Sequence, residues 1–190
     1  MIEHNESFPD LRMQQACEVV VVGAGPAGSS CAHWLARAGC DVFLVDQYKF
    51  PRHKVCGDAL IPDALAALQR LGLYDQVMAM AKAVDHVRCV APSGSVADLK
   101  APMAVISRYV FDDVLLQAAV AQGARFLPQM AFESLAHDAD RGRAVRGAWF
   151  RAEGERILIK ARHVVLATGA SVAALDAAGL AHRRAPSAMA

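Results

Sequence analysis

Three glycines, Gly23, Gly25 and Gly28, follow a run of four valines in the stretch VVVVGAGPAGSS. In a G-x-G-x-x-G spacing, the first glycine permits a sharp turn and the second lets the backbone approach a pyrophosphate. The third lets a helix pack closely on the strand. The N–H groups and the positive dipole end of a helix that begins at Pro26 suit the phosphates. We therefore expect this turn, with Pro26 and Ala27, to bind a dinucleotide.

An acidic residue stands where the ribose of such a dinucleotide is bound. The strand EVVVVGA, a helix from Pro26 to Ala38 and the strand CDVFLVD form a βαβ unit. Asp46 ends the second strand, eighteen residues beyond Gly28. A carboxylate at about this distance accepts hydrogen bonds from the ribose. Asp46 and the adjoining Gln47 are therefore candidate cofactor ligands.

Apolar periodicity and turn residues predict the remaining helices and strands. A helix is predicted from Pro62 to Gly72, strand-like pieces between 84 and 107, and a helix from Arg108 to Gly123. The strand ARFLP follows. The alternating segments MAFESLAHD, RAVRGAWFRA and ERILIKA then predict a three-stranded antiparallel meander. RHVVLATGAS is predicted to form a separate, last buried strand that ends in a turn.

These elements predict a doubly wound, Rossmann-like α/β domain with a parallel sheet and an antiparallel meander. We expect it to occupy residues 17–180, with a flexible leader at 1–16 and a tail at 181–190. On its first helix, we expect His33 at the surface and Trp34 in the core.

Composition excludes several classes of protein. The 190 residues are 55% hydrophobic and 21% charged, with a net charge of +1. This is a globular composition without the basic stripe of a nucleic-acid-binding protein. Five cysteines form no C-x-x-C pair, which predicts no metal site and a reducing cytoplasm. No apolar run approaches the roughly 20 residues of a membrane span.

Three further segments carry a specific resemblance. PRHKVCGDAL at 51–60, SRYVFDDVLLQAAVAQGA at 107–124 and VVLATGA at 164–170 accompany the glycine motif. Together they resemble the geranylgeranyl reductase-related family of FAD-dependent oxidoreductases, which shares the fold of the aromatic flavoprotein hydroxylases. The glycine motif alone does not distinguish FAD from NAD. The Ala-Thr-Gly turn (Ala167, Thr168, Gly169) and the meander before it favour FAD.

The resemblance implies roles for particular residues. Arg52, Lys54, Cys56 and Gly57 would line the FAD, with Cys56 near the isoalloxazine and the substrate. Arg108 would reach the pyrophosphate–ribose region, where a guanidinium can bind phosphate with two donors. Among Arg52, His53 and Lys54, we expect the pKa of the Cys56 thiol to be lowered. Asp58 is a candidate acid, but a capping or turn role is expected for it.

The implied activity is hydride transfer from reduced flavin to a C=C bond of a small, apolar substrate, with NADPH or NADH as external reductant. One alternative is a flavin-dependent monooxygenase or halogenase. The other is a non-catalytic dinucleotide-binding fragment, since members of the family are longer. They carry a substrate-binding sheet and a Gly-Asp segment beyond the Ala-Thr-Gly turn. Without those parts, exposed apolar surface would favour homo-oligomers.

Overall fold

The computed structural model describes residues 15–138 and 144–180. The predicted tail, and all but the last two residues of the predicted leader, lie outside these ranges. The described chain forms two compact units, one up to Lys49 and from Ala118 onward, the other from Phe50 to Gln117. The elements are, in chain order, β1 (Gln15–Val22), α1 (Pro26–Arg37), β2 (Val42–Val45), β3 (Ala59–Leu60), α2 (Pro62–Leu71), α3 (Tyr74–Met78), β4 (Lys82–Val90), β5 (Val96–Val105), α4 (Arg108–Ala121), β6 (Arg125–Leu127), β7 (Ala131–His137), β8 (Val145–Ala152), β9 (Glu155–Leu166) and α5 (Val172–Ala177).

The first unit is built on a six-stranded sheet in the order β6-β2-β1-β9-β8-β7. Strands β6, β2, β1 and β9 are parallel, and the register brings Val22 beside Val45 and Leu166. All four residues of β2 and the last four of β1 are buried. A parallel strand covered on both faces has this continuous apolar character. The predicted βαβ unit is confirmed, although β1 begins at Gln15, inside the predicted leader.

The meander is confirmed, but its last strand extends further than predicted. Strand β9 is one continuous element of twelve residues. Its first half pairs antiparallel with β8, and from Ile159 onward it pairs parallel with β1. The prediction of two separate strands was wrong because ERILIKARHVVL contains no glycine or proline to interrupt the extended backbone. The strand that ends beside the glycine turn therefore begins in the meander.

The second unit combines α2, α3 and the beginning of α4 with a three-stranded antiparallel sheet in the order β3-β5-β4. Helix α2 buries Leu65, Leu68 and Leu71 and ends at Gly72, as predicted. Gly72 has the left-handed conformation that is common at helix ends. The short elements β3, α3 and α5 were not predicted. Among the described residues, no helix combines the length and apolar character that crossing a membrane requires.

The expected orientation of helix α1 was wrong. His33 is 4% exposed, whereas Trp34 is 44% exposed and carries the Arg37 guanidinium 5.2 Å from its ring centroid. The other buried residues of α1 are glycine, serine and alanine. A helix that packs closely through such small residues has no room for an indole on that face.

Gly147 is a position in the meander where a side chain does not fit. It has φ +145°, and a Cβ there would lie 2.0 Å from the carbonyl oxygen of Ile159 in β9. We expect Gly147→Ala to lower the free energy of unfolding, measured in urea, by about 3 kcal/mol or more, since strain and overlap add.

Gly154→Ala is the matched control in the turn between β8 and β9. Gly154 has φ +85°, but a Cβ there meets no described atom within 4 Å. We expect a loss of about 1 kcal/mol, from backbone strain alone. Equal losses for the two variants would contradict the steric argument.

Candidate functional site

The glycine turn (residues 23–28) lies at the carboxyl end of β1 and is tied to both neighbouring strands. The Gly23 N–H donates to the Val45 carbonyl at 2.7 Å, and the Ala167 N–H donates to the Val22 carbonyl at 2.8 Å. The Ala24 N–H donates to Asp46 Oδ2 at 2.7 Å. Segments from β1, β2 and β9 thus meet at one point, at the edge where open α/β sheets bind ligands.

Two of the three glycines are required by the fold itself. Gly23 has φ +102°, and a Cβ on it would lie 2.4 Å from the Ala167 carbonyl oxygen. A Cβ on Gly28 would lie 1.7 Å from the Gly23 carbonyl oxygen. Gly25 differs, because its φ of −69° and ψ of −176° suit any residue. Its backbone conformation does not require glycine, which favours the close approach of a ligand as the reason for it.

The N-terminus of α1 has the features of an anion site. Pro26 occupies its first position, and the first intrahelical hydrogen bond runs from the Ser29 N–H to the Gly25 carbonyl at 2.9 Å. The N–H groups of Ala27 and Gly28 therefore have no acceptor within the helix. The first turn carries no acidic residue and no side-chain cap. A pyrophosphate fits this end, since donors and dipole favour negative charge.

Asp46 is buried, at 7% exposure, and its carboxylate holds the turn in place. Oδ2 accepts the Ala24 N–H, and Oδ1 accepts the Tyr48 N–H at 2.9 Å. Each carboxylate oxygen has a second lone pair, so the group retains acceptor capacity for ribose hydroxyls. Gln47 is exposed.

The Ala-Thr-Gly turn follows directly from β9. Ala167 borders both Gly23 and Gly28, since its atoms are among the nearest that a Cβ on either glycine would meet. Thr168 is half-buried and Gly169, in the left-handed region, is exposed. The first unit thus brings together the glycine turn, Asp46 and Ala167.

The second unit contains an ionic cluster that the sequence analysis did not identify. Asp112 of α4 is completely buried. Arg108, one turn earlier, donates to it through Nε at 2.5 Å and Nη2 at 2.7 Å, and Arg52 Nη1 lies 3.4 Å from Asp112 Oδ2. We call Arg52, Arg108 and Asp112 the arginine–aspartate cluster. The only sequence signal was an aspartate within the apolar stretch YVFDDVLL, four residues after an arginine.

Cys56 is exposed and lies two residues before Asp58, whose carboxylate accepts the backbone N–H of Arg108. Hydrogen bonds from the backbone of Asp58 and from the Arg108 guanidinium lower the pKa of its thiol below the ordinary value. The direction matches the prediction, but the expected causes, Arg52, His53 and Lys54, are replaced by Asp58 and Arg108. Burial instead raises the pKa of Cys17 to about 11, and that of Cys31 is raised as well.

The remaining residues of this loop have structural or exposed positions. Asp58 Oδ1 accepts the Arg108 N–H at 3.2 Å, at the start of α4, which is the capping role expected for it. The His53 ring packs against Tyr109 at 4.8 Å. Lys54 and Gly57 are exposed.

The turn, the helix N-terminus and the buried acid define a dinucleotide-binding α/β domain. The chain belongs to the FAD binding domain family, whose pattern matches residues 16–189. This family membership confirms FAD over NAD as the cofactor.

The chain is similar to named proteins and to solved structures. Over 135 residues the chain is 38% identical to menaquinone reductase of Mycolicibacterium smegmatis, covering 66% of this chain and 32% of that protein. It is 30% identical over 162 residues to digeranylgeranylglycerophospholipid reductase 1 of Methanothermobacter thermautotrophicus, covering 80% and 38%. The solved structure of the flavin-dependent brominase Bmp2 matches with a TM-score of 0.75 at 26% identity, covering 87% of this chain and 41% of that one. The chain thus spans between about a third and two fifths of the length of these relatives.

Removal of the Asp46 carboxylate tests the ribose assignment. A hydrogen bond to a charged group is worth about 1.5–3 kcal/mol. We therefore expect Asp46→Ala to weaken FAD binding at least about tenfold in a fluorescence titration, on protein shown to be folded by circular dichroism. Asp41→Ala is the control, because Asp41 is exposed and pairs with Arg125. Equal affinity of wild type and Asp46→Ala would remove Asp46 from the site.

Cys56 should be the cysteine that iodoacetamide alkylates fastest. The thiolate is the nucleophile, so a lowered pKa makes the rate rise at a lower pH than for an ordinary thiol, whose pKa is about 8.5. Peptide mass spectrometry separates it from the other cysteines, and exposed Cys89 is the internal comparison. Faster alkylation of any other described cysteine would contradict the lowered pKa of Cys56.

Proposed function

We propose that this protein is a FAD-dependent oxidoreductase that reduces a carbon–carbon double bond of a small, apolar substrate. NADPH or NADH is the proposed external reductant. The observation that carries the proposal is the glycine turn with its uncapped helix N-terminus and buried acid, which fit a flavin dinucleotide. Family membership supports the same cofactor.

The relatives support the reductase class and an apolar substrate. Two are named as reductases, one of menaquinone and one of digeranylgeranylglycerophospholipid. The 38% identity to the first exceeds the 26% identity to the brominase. We extend the reductase activity, and a lipid-like substrate, from these relatives to this protein.

In the proposed site, the first unit holds the cofactor. The N–H groups of Ala27 and Gly28 bind the pyrophosphate, and Gly25 leaves room for it. Asp46 accepts hydrogen bonds from the ribose. When bound and reduced, FAD supplies the hydride chemistry.

The proposed reaction also needs a proton-transfer group. Reduction of a double bond needs a proton as well as a hydride. We assign the proton to Cys56 Sγ, on the resemblance of the Arg-x-Lys-x-Cys-Gly element. A thiol with a lowered pKa is a stronger acid, and the Arg108 guanidinium stabilises the thiolate left after proton release. Asp58 is less suited as the acid, because its carboxylate accepts the Arg108 N–H.

A flavin-dependent monooxygenase or halogenase is the second candidate, favoured by the structural likeness to the brominase. The same FAD-loaded chain distinguishes the two. After anaerobic reduction it is mixed with menaquinone, and the flavin absorbance and product mass are followed. Reoxidation without oxygen supports the reductase if the product gains one H₂ and keeps it after exposure to air, because a quinol formed by reduction of the ring would return to the quinone. Product formation that requires oxygen, or oxygen with halide, supports the alternative.

Gly25→Val tests the cofactor site without disturbing the fold. The backbone at residue 25 permits a side chain, so we expect the variant to keep its circular dichroism spectrum. We expect FAD binding to be lost, because the added methyl groups occupy the space of the pyrophosphate. The measurement is the absorbance spectrum of the purified chain with and without added FAD.

Ala38→Val, at the exposed opposite end of α1, is the matched control and should bind FAD normally. A Gly25→Val variant that binds FAD normally would refute the glycine turn as the cradle. A wild-type chain that never takes up FAD would favour the non-catalytic alternative.

A further inference from the structure

Ser29 is a fully buried polar residue of α1 that the sequence analysis did not identify. Its hydroxyl donates to the Ala24 carbonyl at 2.9 Å, so the contact joins the fourth residue of the helix to the glycine turn. Ala24 is also fully buried, and a buried carbonyl without a donor is unfavourable. The hydrogen bond therefore satisfies both groups and fixes the direction of the Ala24 carbonyl.

The direction of this carbonyl decides where the next amide points. A trans peptide unit is planar, with its C=O and its N–H on opposite sides. The Ala24–Gly25 peptide is trans, and its oxygen accepts the Ser29 hydroxyl. The Gly25 N–H therefore points away from Ser29 and from the buried side of α1. Among the described residues, this N–H has no hydrogen-bond acceptor.

The preceding peptide unit has the same orientation. The Gly23 carbonyl lies against Gly28 of α1, since a Cβ on Gly28 would overlap its oxygen. On the other side of that unit, the Ala24 N–H donates to Asp46 Oδ2. Two successive carbonyls of the turn thus face the helix, and the N–H groups of the same units face away from it. Successive N–H groups favour an anion, whereas a carbonyl oxygen turned outward would repel one.

A glycine at position 25 makes this orientation easy to lose. Its φ is −69°, but glycine populates positive φ about as readily as negative φ. Coupled rotation about the two bonds that flank the Ala24–Gly25 peptide would reverse this unit with little movement of its neighbours. The turn thus combines a residue small enough to admit a pyrophosphate with a backbone that needs a restraint. The Ser29 hydroxyl supplies that restraint.

We propose that Ser29 is a positioning residue for the cofactor: its hydroxyl holds the Ala24 carbonyl toward α1, so that the Gly25 N–H joins those of Ala27 and Gly28 in binding the pyrophosphate. Ser29 itself makes no contact with FAD. The assignment of the pyrophosphate rests on the proposed function. The restraint on the turn does not, and it is measured on the chain without FAD.

The first experiment compares FAD affinities by fluorescence titration. Ser29→Ala removes the hydroxyl and leaves the Ala24 carbonyl free to turn outward, so we expect FAD to bind about threefold to tenfold more weakly. The matched control is Ser30→Ala, at the next and half-buried residue of the same helix, which should bind FAD with wild-type affinity. Unchanged affinity in Ser29→Ala, or an equal loss in Ser30→Ala, would overturn the proposal.

Two competitors separate this role from a general loosening of the domain. ADP carries both the ribose and a pyrophosphate, whereas adenosine carries the ribose without phosphate. We expect Ser29→Ala to weaken competition by ADP by the same factor as the binding of FAD, and to leave competition by adenosine unchanged. An equal loss for the two competitors would show a structural effect alone and would contradict the positioning role.

The restraint on the turn is measured on the chain without FAD, by ¹⁵N relaxation dispersion of the Gly25 amide. This measurement detects exchange on the microsecond to millisecond timescale. We expect a flat profile in wild type and in Ser30→Ala, and exchange at Gly25 in Ser29→Ala. Exchange in wild type, or a flat profile in Ser29→Ala, would refute the restraint. Should Ser29→Ala not fold, Ser29→Cys keeps a weaker donor and should show a smaller change in the same direction.

Failure of the proposed function gives a different pattern. A wild-type chain that takes up neither FAD nor ADP refutes the cofactor site, and the dispersion profiles still decide whether Ser29 restrains the turn. A wild-type chain that binds FAD, together with an unchanged Ser29→Ala variant, refutes the positioning role alone.

Discussion

The close approach of helix α1 to strand β1 is the constraint on which the first unit depends. The Gly28 Cα lies so near the Gly23 carbonyl that no Cβ fits between them. Because the helix begins that close to the strand, its N-terminal amides open directly at the carboxyl edge of the sheet. Asp46 then has to stabilise the turn, which it does through the Ala24 N–H. Steric contact, helix dipole and buried carboxylate thus act at one point.

Strand β9 is the third strand whose carboxyl end meets the glycine turn. It is paired on both edges, antiparallel to β8 at its start and parallel to β1 at its end. Such a strand has little freedom to shift in register, because a shift would move its buried Ile157, Ile159 and Ala161 out of the core. Ala167, which directly follows, is therefore held against Gly23 and Gly28 by the meander as much as by the parallel sheet.

In the second unit, the main constraint is the burial of a charged carboxylate, that of Asp112. This carboxylate is stabilised by the guanidinium groups of Arg108 and Arg52. The pKa of Cys56 is lowered by the backbone of Asp58 and by the Arg108 guanidinium. Burial has the opposite effect at Cys17 and Cys31, where the surroundings offer desolvation without compensating donors of this strength. Cys17, Cys31 and Cys56 thus differ in acidity according to their neighbours.

Short-range patterns in the sequence determined the βαβ unit, the glycine turn, the acid at the end of β2 and the meander. Each depends on periodicity, on turn residues or on spacing within about 30 residues of chain, which the sequence displays directly. Only the tertiary structure decided the rest. Asp112 belongs to the arginine–aspartate cluster because the fold removes it from water beside Arg52, sixty positions earlier. His33 is buried and Trp34 exposed because packing through small residues selects the face of α1. Burial and long-range pairing depend on the whole chain, and no local pattern encodes them.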